Sequence, residues 1–260
     1  MLAKREWTRF FRQRNRVSAA VVQPLLFWLL FGAGMSSAFR SESGEDFYAF
    51  FLPGTVALIV LFTAIFSTIS VIEDRREGFM QSVLVSPVGR GSLLLGKIMG
   101  GAAIAWAQAM VFLLLAVVSG QLATTVAWVP LMVLMAVLAI AMCGLGMMVA
   151  WPMSSTQGFH AIMMLGLMPM WLLAGTFFPV PEVVGQRVGP TVLGWLMRVN
   201  PLSYTMTEMR RLMNPSLDWS DAAFAPSSAV CWIITVVATL AVLAMAARMV
   251  RGRYAVDTIV

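Results

Sequence analysis

Long apolar runs without charged side chains dominate the chain. Four stretches contain no Asp, Glu, Lys or Arg, namely residues 17–39, 47–72, 98–181 and 222–247. A helix needs about 20 mostly apolar residues to cross the hydrocarbon layer of a membrane. The first, second and fourth stretches each fit one crossing, whereas the third is long enough for three.

Two polar breaks divide the third stretch, one around Ser119-Gly-Gln and Thr124-Thr125, the other at WPMSSTQG (151–158). The pattern therefore predicts an all-α integral membrane protein with six transmembrane helices, in a single transmembrane domain over residues 1–260. The predicted spans are about 18–39, 51–72, 97–118, 127–149, 159–179 and 227–248.

Composition supports the membrane class. The chain is 60% hydrophobic and only 12% charged, with a mean hydropathy of +0.84, whereas soluble domains are about 25% charged. A water-soluble globule with so little charge would aggregate. The net charge of +6 is compatible with a nucleic-acid partner, so the positions of the basic residues decide its meaning.

Lys and Arg follow the predicted topology. With the N-terminus inside, six lie in the N-terminal tail, four between Arg75 and Lys97, and three in the C-terminal tail. These thirteen cytoplasmic residues outnumber the five outer ones, as the positive-inside rule requires. Both termini are therefore predicted to be cytoplasmic, and no nucleic-acid partner is needed to explain the charge.

The N-terminal segment precedes the first span with a mixed basic and aromatic pattern. Trp7, Phe10 and Phe11 recur at helical spacing among arginines, which predicts an interfacial helix within residues 1–17. A disordered basic tail is the alternative. A cleaved signal peptide fits less well, because its apolar region is about 7–15 residues long.

Residues 73–92, EDRREGFMQSVLVSPVGRGS, form the longest charged cytoplasmic loop. Acidic residues lie early, where a helix N-terminus favours negative charge. Phe79, Met80, Val83 and Leu84 follow at helical spacing, which predicts a short amphipathic helix ending before Pro87. Such a helix suits docking into another protein's groove; a solvated turn is the alternative.

The next segment, GSLLLGKI (91–98), is one residue short of a phosphate-binding loop, since Ile98 occupies the Ser or Thr position. A phosphate loop also needs a preceding strand and a soluble helix after it. Here the leucines lead into an apolar run, so the segment is predicted to begin the third span. Lys97 is expected to snorkel to the interface, and no nucleotide site is predicted.

Few residues offer chemistry inside the membrane. Cys143 and Cys231 lie in apolar segments without metal spacing, and His160, near a cytoplasmic end, is expected to be a hydrogen-bonded interface residue. Ion-coupled carriers usually keep an ionisable residue at mid-membrane, and membrane-embedded lipid-modifying enzymes need clustered reactive groups. A secondary transporter or channel, or such an enzyme, therefore remains only an alternative.

Three segments together resemble the type-2 ABC exporter permeases, the membrane subunits that export drugs, lipids and polysaccharides. They are REGFMQSVLVSPVGRGSLLLGKIMGG (76–101), AGTFFPVPEV (174–183) and NPLSYTMTEMRRL (200–212). The similarity covers essentially the whole chain.

The resemblance implies that the Glu73–Leu84 helix is a coupling helix, seated in a groove of a separate cytoplasmic ABC ATPase subunit. Phe79 and Gln81 replace the Thr and Glu common in the family. The docking residues that it implies are Glu73, Asp74, Arg75, Glu77 and Gly78 at the charged end, with Phe79, Met80 and Leu84 as the packing ridge.

The resemblance also implies short re-entrant helices on the outer side, within residues 180–212. Prolines interrupt this segment, and Trp195 and Tyr204 are expected to anchor it at the interface. The residues expected to mark this outer region are Phe178, Pro179, Asn200, Pro201 and Tyr204.

The implied function is a transport subunit of the bacterial inner membrane, without an ATPase site of its own. Two copies would form a homodimer in membrane lipid and each would dock one ATPase subunit, which binds the ATP and Mg²⁺, so that this chain itself holds no cofactor. The Met- and Phe-rich interior favours an amphipathic or lipid-linked cargo. The candidate hinge or close-packing sites, with close packing the expected role, are Pro24, Pro169, Gly100, Gly101, Gly144 and Gly146.

Overall fold

The computed structural model describes residues 7–8, 22, 25–32, 34, 47–78, 89–120, 122, 125–181, 188–216 and 224–251. All regular secondary structure in these ranges is helical, including residues 25–32. The helices with defined bounds are α1 (Phe47–Ser67), α2 (Ile69–Arg76), α3 (Arg90–Val118), α4 (Trp128–Ala150), α5 (Thr156–Leu172), α6 (Val188–Val199), α7 (Pro201–Met213) and α8 (Ser228–Arg251).

Four segments of the described ranges are long and apolar enough to cross a membrane. They are Phe50–Arg76, Gly91–Val118, Trp128–Ala150 and Ser228–Val250, and they coincide with the second, third, fourth and sixth predicted spans. GSLLLGKI lies within α3, as predicted for the start of a membrane helix. Most of the first predicted span and of the predicted interfacial helix (1–17) lies outside the described residues.

The fifth predicted span ends earlier than expected. Helix α5 stops at Leu172 after 17 residues, instead of continuing to residue 179. Gly175 has a φ of 81°, the left-handed conformation that commonly follows a helix end, and Thr176 Oγ1 donates to the carbonyl of Trp171 at 2.8 Å. Apolar composition alone conceals this turn, which explains the wrong boundary.

Helix α4 packs against α1, α3 and α8 at the centre of the bundle. Helix α1 is enclosed so completely that every residue from Phe51 to Leu61 is buried. Helix α8, in contrast, leaves many apolar side chains exposed, among them Ile233, Val237 and Leu240. The bundle thus has an enclosed interior and an apolar outer face suited to lipid.

The helices alternate in direction and define two ends of the bundle. At the Arg75 end, α2 approaches the connection between α4 and α5, because Arg75 bonds the carbonyls of Trp151 and Met153. At the Arg210 end, α7 approaches the start of α1, because the Arg210 guanidinium lies 4.2 Å from the centroid of the Phe50 ring. The predicted outer segment forms the two short helices α6 and α7 at this second end; their re-entrant placement in a membrane stays a prediction.

Candidate functional site

An ion pair joins α2 to α3 at the Arg75 end. Lys97 Nζ donates to the Asp74 carboxylate and, at 3.0 Å, to Ser70 Oγ. Asp74 is 0% exposed and Lys97 5% exposed, so the expectation that Lys97 snorkels to the interface is wrong. The physical reason is that Asp74, in the last turn of α2, lies at the level of Lys97, about two turns into the antiparallel α3. A buried ammonium requires a counter-charge.

Two arginines join the same helix to the connection between α4 and α5. Arg75 Nη2 donates to the Trp151 carbonyl at 2.7 Å and Nη1 to the Met153 carbonyl at 3.2 Å. Arg76 Nε donates to the Ser154 carbonyl at 3.1 Å, and the Arg75 guanidinium lies 5.6 Å from the Trp151 ring centroid. Carbonyls at a helix C-terminus lack intrahelical donors and carry partial negative charge, so arginine is a suitable partner.

The start of the predicted coupling helix differs from expectation. Glu73, Asp74 and Arg75 lie in the last turn of α2 and not in the first turn of a new helix. The buried apolar run Ile69–Ile72 continues the preceding span into these residues, and Gly78, with a φ of 74°, ends the helix. Glu77 is exposed in the following turn. Phe79, Met80 and Leu84 lie outside the described residues.

The junction of α1 and α2 is a break packed against glycines. An added Cβ at Gly101 would lie 2.1 Å from Ser67 Oγ, and one at Gly146 would lie 2.8 Å from Thr68 Oγ1. A Cβ at Gly144 would lie 2.8 Å from Val242 Cγ1. The expected close-packing role of these three glycines is confirmed.

Several of the residues predicted to mark the outer region connect separate parts of the fold at the Arg210 end. Asn200 Oδ1 accepts from the backbone N–H of Leu202 at 3.1 Å, which caps α7, while its Nδ2 donates to the Met170 carbonyl at 2.7 Å. Pro201 is the first residue of α7, where its missing N–H costs nothing. Tyr204 packs edge-on against Phe224, with ring centroids 5.1 Å apart.

Phe178 and Pro179, in contrast, are exposed in the turn after α5. The neighbouring Phe177 makes the aromatic contacts instead, with Phe51 at 4.9 Å and Trp171 at 5.3 Å between ring centroids. Sequence reasoning singled out Phe178 and not Phe177, because two adjacent phenylalanines give no indication of which one faces the bundle.

Sequence reasoning also missed a charged cluster on α7. Glu208 is 1% exposed and accepts from Arg211 at 2.7 Å, Ser228 at 2.6 Å and Trp232 at 3.2 Å. Arg210 donates to the carbonyl of Gly175. The helical spacing of the buried positions Thr205, Met209 and Met213 was the available signal that this face turns inward.

Both clusters join separate parts of the fold. Within the described ranges, no group of three or more His, Cys, Asp or Glu side chains is placed to hold a metal ion. The contacts at each end connect elements distant in sequence, so the arrangement can transmit or resist mechanical displacement.

The chain is similar in sequence to several known proteins. The chain is 28% identical over 201 residues to nodulation protein J of Rhizobium leguminosarum bv. trifolii, covering 74% of this chain and 72% of that protein. It is 25% identical over 220 residues to the putative transport permease ycf38 of Cyanophora paradoxa, covering 83% and 74%. The probable multidrug ABC transporter permease YbhR of Escherichia coli (strain K12) is 24% identical over 176 residues, covering 66% and 46%.

The family comparison covers most of the chain. The ABC-2 type transporter family matches residues 1–214, a range that contains the α2 contacts and helix α7. Together with four helices of membrane-spanning length, this match identifies the chain as a member of the ABC-2 type transporter family of membrane permeases.

Proposed function

We propose that this chain is the membrane-spanning permease subunit of an ATP-binding cassette exporter, and that a separate cytoplasmic ATPase subunit drives it through the 73–92 connection. Family membership supports the permease role. The observation that carries the docking site is the end of α2: a helix fastened to two other parts of the bundle leads into a turn with an exposed Glu77.

The orientation follows from charge. The Arg75 end faces the cytoplasm in this proposal, because thirteen of the eighteen Lys and Arg residues belong to the tails and connection assigned to that side. The ATPase would contact Glu73, Glu77 and Gly78 and the ridge Phe79, Met80 and Leu84. Asp74 and Arg75, in contrast, are held inside the bundle by Lys97 and by the carbonyls of the α4–α5 connection. ATP and Mg²⁺ would bind to the ATPase, whose closure displaces the connection.

The proposal includes a second copy of the chain and surrounding lipid. Helix α5 exposes Ile162, Met164 and Leu165, and α8 exposes Ile233 and Leu240. These apolar faces fit either lipid or a second permease. Two permeases and two ATPases would form the exporter of the inner membrane.

The cargo is proposed to be amphipathic or lipid-linked and to move outward. The relatives include a nodulation protein and a probable multidrug permease. The partly exposed side of α1 offers Phe62 and Phe66 beside Thr63, a mixture of aromatic and polar groups that suits a cargo with both kinds of surface.

Co-purification tests the proposal. The tagged chain is expressed with the ATPase encoded beside its gene, and complex formation, ATP hydrolysis and export are measured. Glu77→Ala combined with Leu84→Ala is expected to reduce both complex formation and export. The matched control combines Arg248→Ala on α8 with Leu114→Ala on α3, both at exposed positions. An unaffected docking variant, or no ATPase bound to the wild type, would contradict the proposal.

The topology has a separate test. Single cysteines introduced within residues 73–92 are expected to react with a membrane-impermeant reagent only from the cytoplasmic side. The native Cys143 and Cys231 are buried, so they give little background labelling. Reaction from the outer side would refute the docking site.

A further inference from the structure

Helix α2 is set off from α1 by a local change of backbone geometry. The N–H of Thr68 bonds the Ile65 carbonyl and the N–H of Val71 bonds the Thr68 carbonyl, both at 3.0 Å, which is the tighter three-residue pattern. Ser67 and Thr68 hydroxyls donate back to the carbonyls of Ala64 and Ile65, each at 2.6 Å. Such back-bonding bends helices, and a short 3₁₀ stretch within a helix often marks a hinge.

The surroundings of this break permit close approach of backbones. Gly101 of α3 and Gly146 of α4 lie against Ser67 and Thr68, with no room for a Cβ. Cys143 Sγ donates to the Ala64 carbonyl at 3.1 Å, which satisfies a carbonyl next to the break. Small residues on two neighbouring helices thus face the point at which the hydrogen-bonding pattern of the helix changes.

Beyond the break, α2 is fastened to two different parts of the bundle. Its buried Asp74 is paired with Lys97 of α3. Its Arg75 reaches carbonyls 76 and 78 residues further along the chain, at the end of α4 and before α5. The eight-residue helix α2 is therefore bound to α3 and to the connection between α4 and α5. Its C-terminal end leads directly into the proposed docking connection.

We propose that α2 is a lever that turns at Ser67–Thr68 and carries displacement of the docking connection to α3 and to the α4–α5 connection. Arg75 and the Asp74–Lys97 pair are its positioning residues. This inference rests on the proposed function, since the ATPase supplies the displacement. It adds that the 151–155 connection moves with the docking loop, even without a contact of its own to the ATPase.

Two reporter cysteines test the lever directly. Gly89→Cys lies at the far end of the docking connection, where an added Cβ meets nothing within 4 Å, and Ser154→Cys lies in the α4–α5 connection. Both positions are exposed. In the complex with the ATPase, the labelling rate of each cysteine is measured with and without ATP. Both rates are expected to change in the otherwise unaltered protein.

Arg75→Ala is expected to separate the two reporters. Gly89→Cys still responds to ATP. The response of Ser154→Cys is weakened, because Arg76 still bonds the Ser154 carbonyl but the two Arg75 bonds are gone, and export falls by about tenfold, a typical size for coupling between sites. Complex formation and ATP hydrolysis are retained. Arg75→Lys keeps the charge but cannot donate to two carbonyls in the fixed geometry of a guanidinium, so it behaves like Arg75→Ala while preserving the fold.

The ion pair provides a second variant. Asp74→Lys or Lys97→Asp alone is expected to lose export, and the double swap Asp74→Lys with Lys97→Asp to restore it at least in part. Arg248→Ala, an exposed arginine of α8, is the control and leaves both reporters unchanged.

The outcomes distinguish the lever from the proposed function. Absence of ATPase binding or of any ATP response in the unaltered chain would overturn both. A normal ATP response of Ser154→Cys in the Arg75→Ala and Arg75→Lys variants, with export intact, would overturn the lever alone. Parallel loss of complex formation and export in Arg75→Lys would also overturn it, because Arg75 would then belong to the docking surface.

Discussion

The Arg75 end and the Arg210 end both bury charged side chains, yet they fasten different kinds of neighbour. At the Arg210 end, Glu208 collects donors from Arg211, Ser228 and Trp232, all on α7 or α8. At the Arg75 end, arginines of a short helix bind backbone carbonyls of an irregular connection. One cluster joins two continuous helices, whereas the other joins a helix behind a break to a loop.

This difference indicates which end is fixed and which end moves. A buried carboxylate with three side-chain donors allows little displacement, because each broken bond leaves a buried polar group unsatisfied. At the Arg75 end the buried Asp74–Lys97 pair holds α2 to α3 in the same way. The arginine bonds to loop carbonyls adapt more easily, since both the side chain and the loop can follow a small shift. The Arg210 end is therefore expected to govern stability, and the Arg75 end to govern coupling.

The largest expected effect is the removal of the central acceptor at the Arg210 end. Glu208→Ala leaves the donors of Ser228, Trp232 and Arg211 without their carboxylate and is expected to lower the free energy of unfolding by about 3 kcal/mol. Denaturant titration in detergent measures it. Glu208→Gln keeps an acceptor for Ser228 and Trp232 and is expected to cost less. Equal losses for Ala and Gln would show that charge alone matters here.

The next effect concerns the hinge at the Arg75 end. A Cβ at Gly146 would lie 3.0 Å from Ile65 Cα and 2.8 Å from Thr68 Oγ1. Because backbone has to shift, Gly146→Ala is expected to destabilise the protein by about 2 kcal/mol and to reduce the ATP response of Ser154→Cys.

The control for this substitution is Gly166→Ala on α5, where an added Cβ meets nothing within 4 Å. There alanine is expected to stabilise by about 0.5 kcal/mol through its higher helix propensity. A Gly146→Ala protein as stable as the Gly166→Ala protein would contradict close packing at the hinge.

The same Arg-to-Lys change at both ends compares them most directly. Arg210→Lys loses the planar guanidinium that donates to the Gly175 carbonyl and stacks on Phe50. The expected cost is about 1.5 kcal/mol of unfolding free energy, read from the same denaturant titration, with the ATP response of Ser154→Cys intact. Arg75→Lys is expected to show the reverse pattern. If both variants lose stability alone, the two ends do not differ in role.

Sequence predicted best those helices for which a membrane allows only one backbone structure. An apolar run of about 20 residues in lipid must satisfy its backbone within one helix, which located both ends of α4 and α8 and the C-terminal end of α3 within a few residues. Helix α3 begins at Arg90, earlier than the predicted residue 97, because its first turns are less apolar. Hydropathy could not locate the break at Thr68, because hydrogen bonds from the Ser67 and Thr68 hydroxyls to backbone carbonyls do not alter the hydropathy of the segment. It also misplaced the end of α5, where Gly175 turns the chain within an apolar stretch.

Partners of charged residues were the harder part of the site. Asp74 and Lys97 were each noticed in the sequence, but their pairing depends on which helices are neighbours, and periodicity does not reveal that. The carbonyls bound by Arg75 belong to the backbone, so no pattern of side chains in the sequence could predict these hydrogen bonds. The docking role of Glu77, Phe79 and Leu84 came from a resemblance and stays a prediction.

The smallest expected effect lies midway between the two ends. Thr63 Oγ1 of α1 donates to Gln108 Oε1 of α3 at 2.5 Å, and within the described part of the chain the Gln108 amide nitrogen is buried without a partner. Thr63→Val keeps the shape and is expected to cost about 0.6 kcal/mol, the average for hydrogen bonds between membrane helices. Thr156→Val, on a partly exposed residue of α5, is the matched control in the same denaturant titration. A loss of unfolding free energy above that of Arg210→Lys would mean that the centre of the bundle, and not its ends, holds α1 against α3. The division between a fixed and a moving end would then have to be replaced by a common polar core.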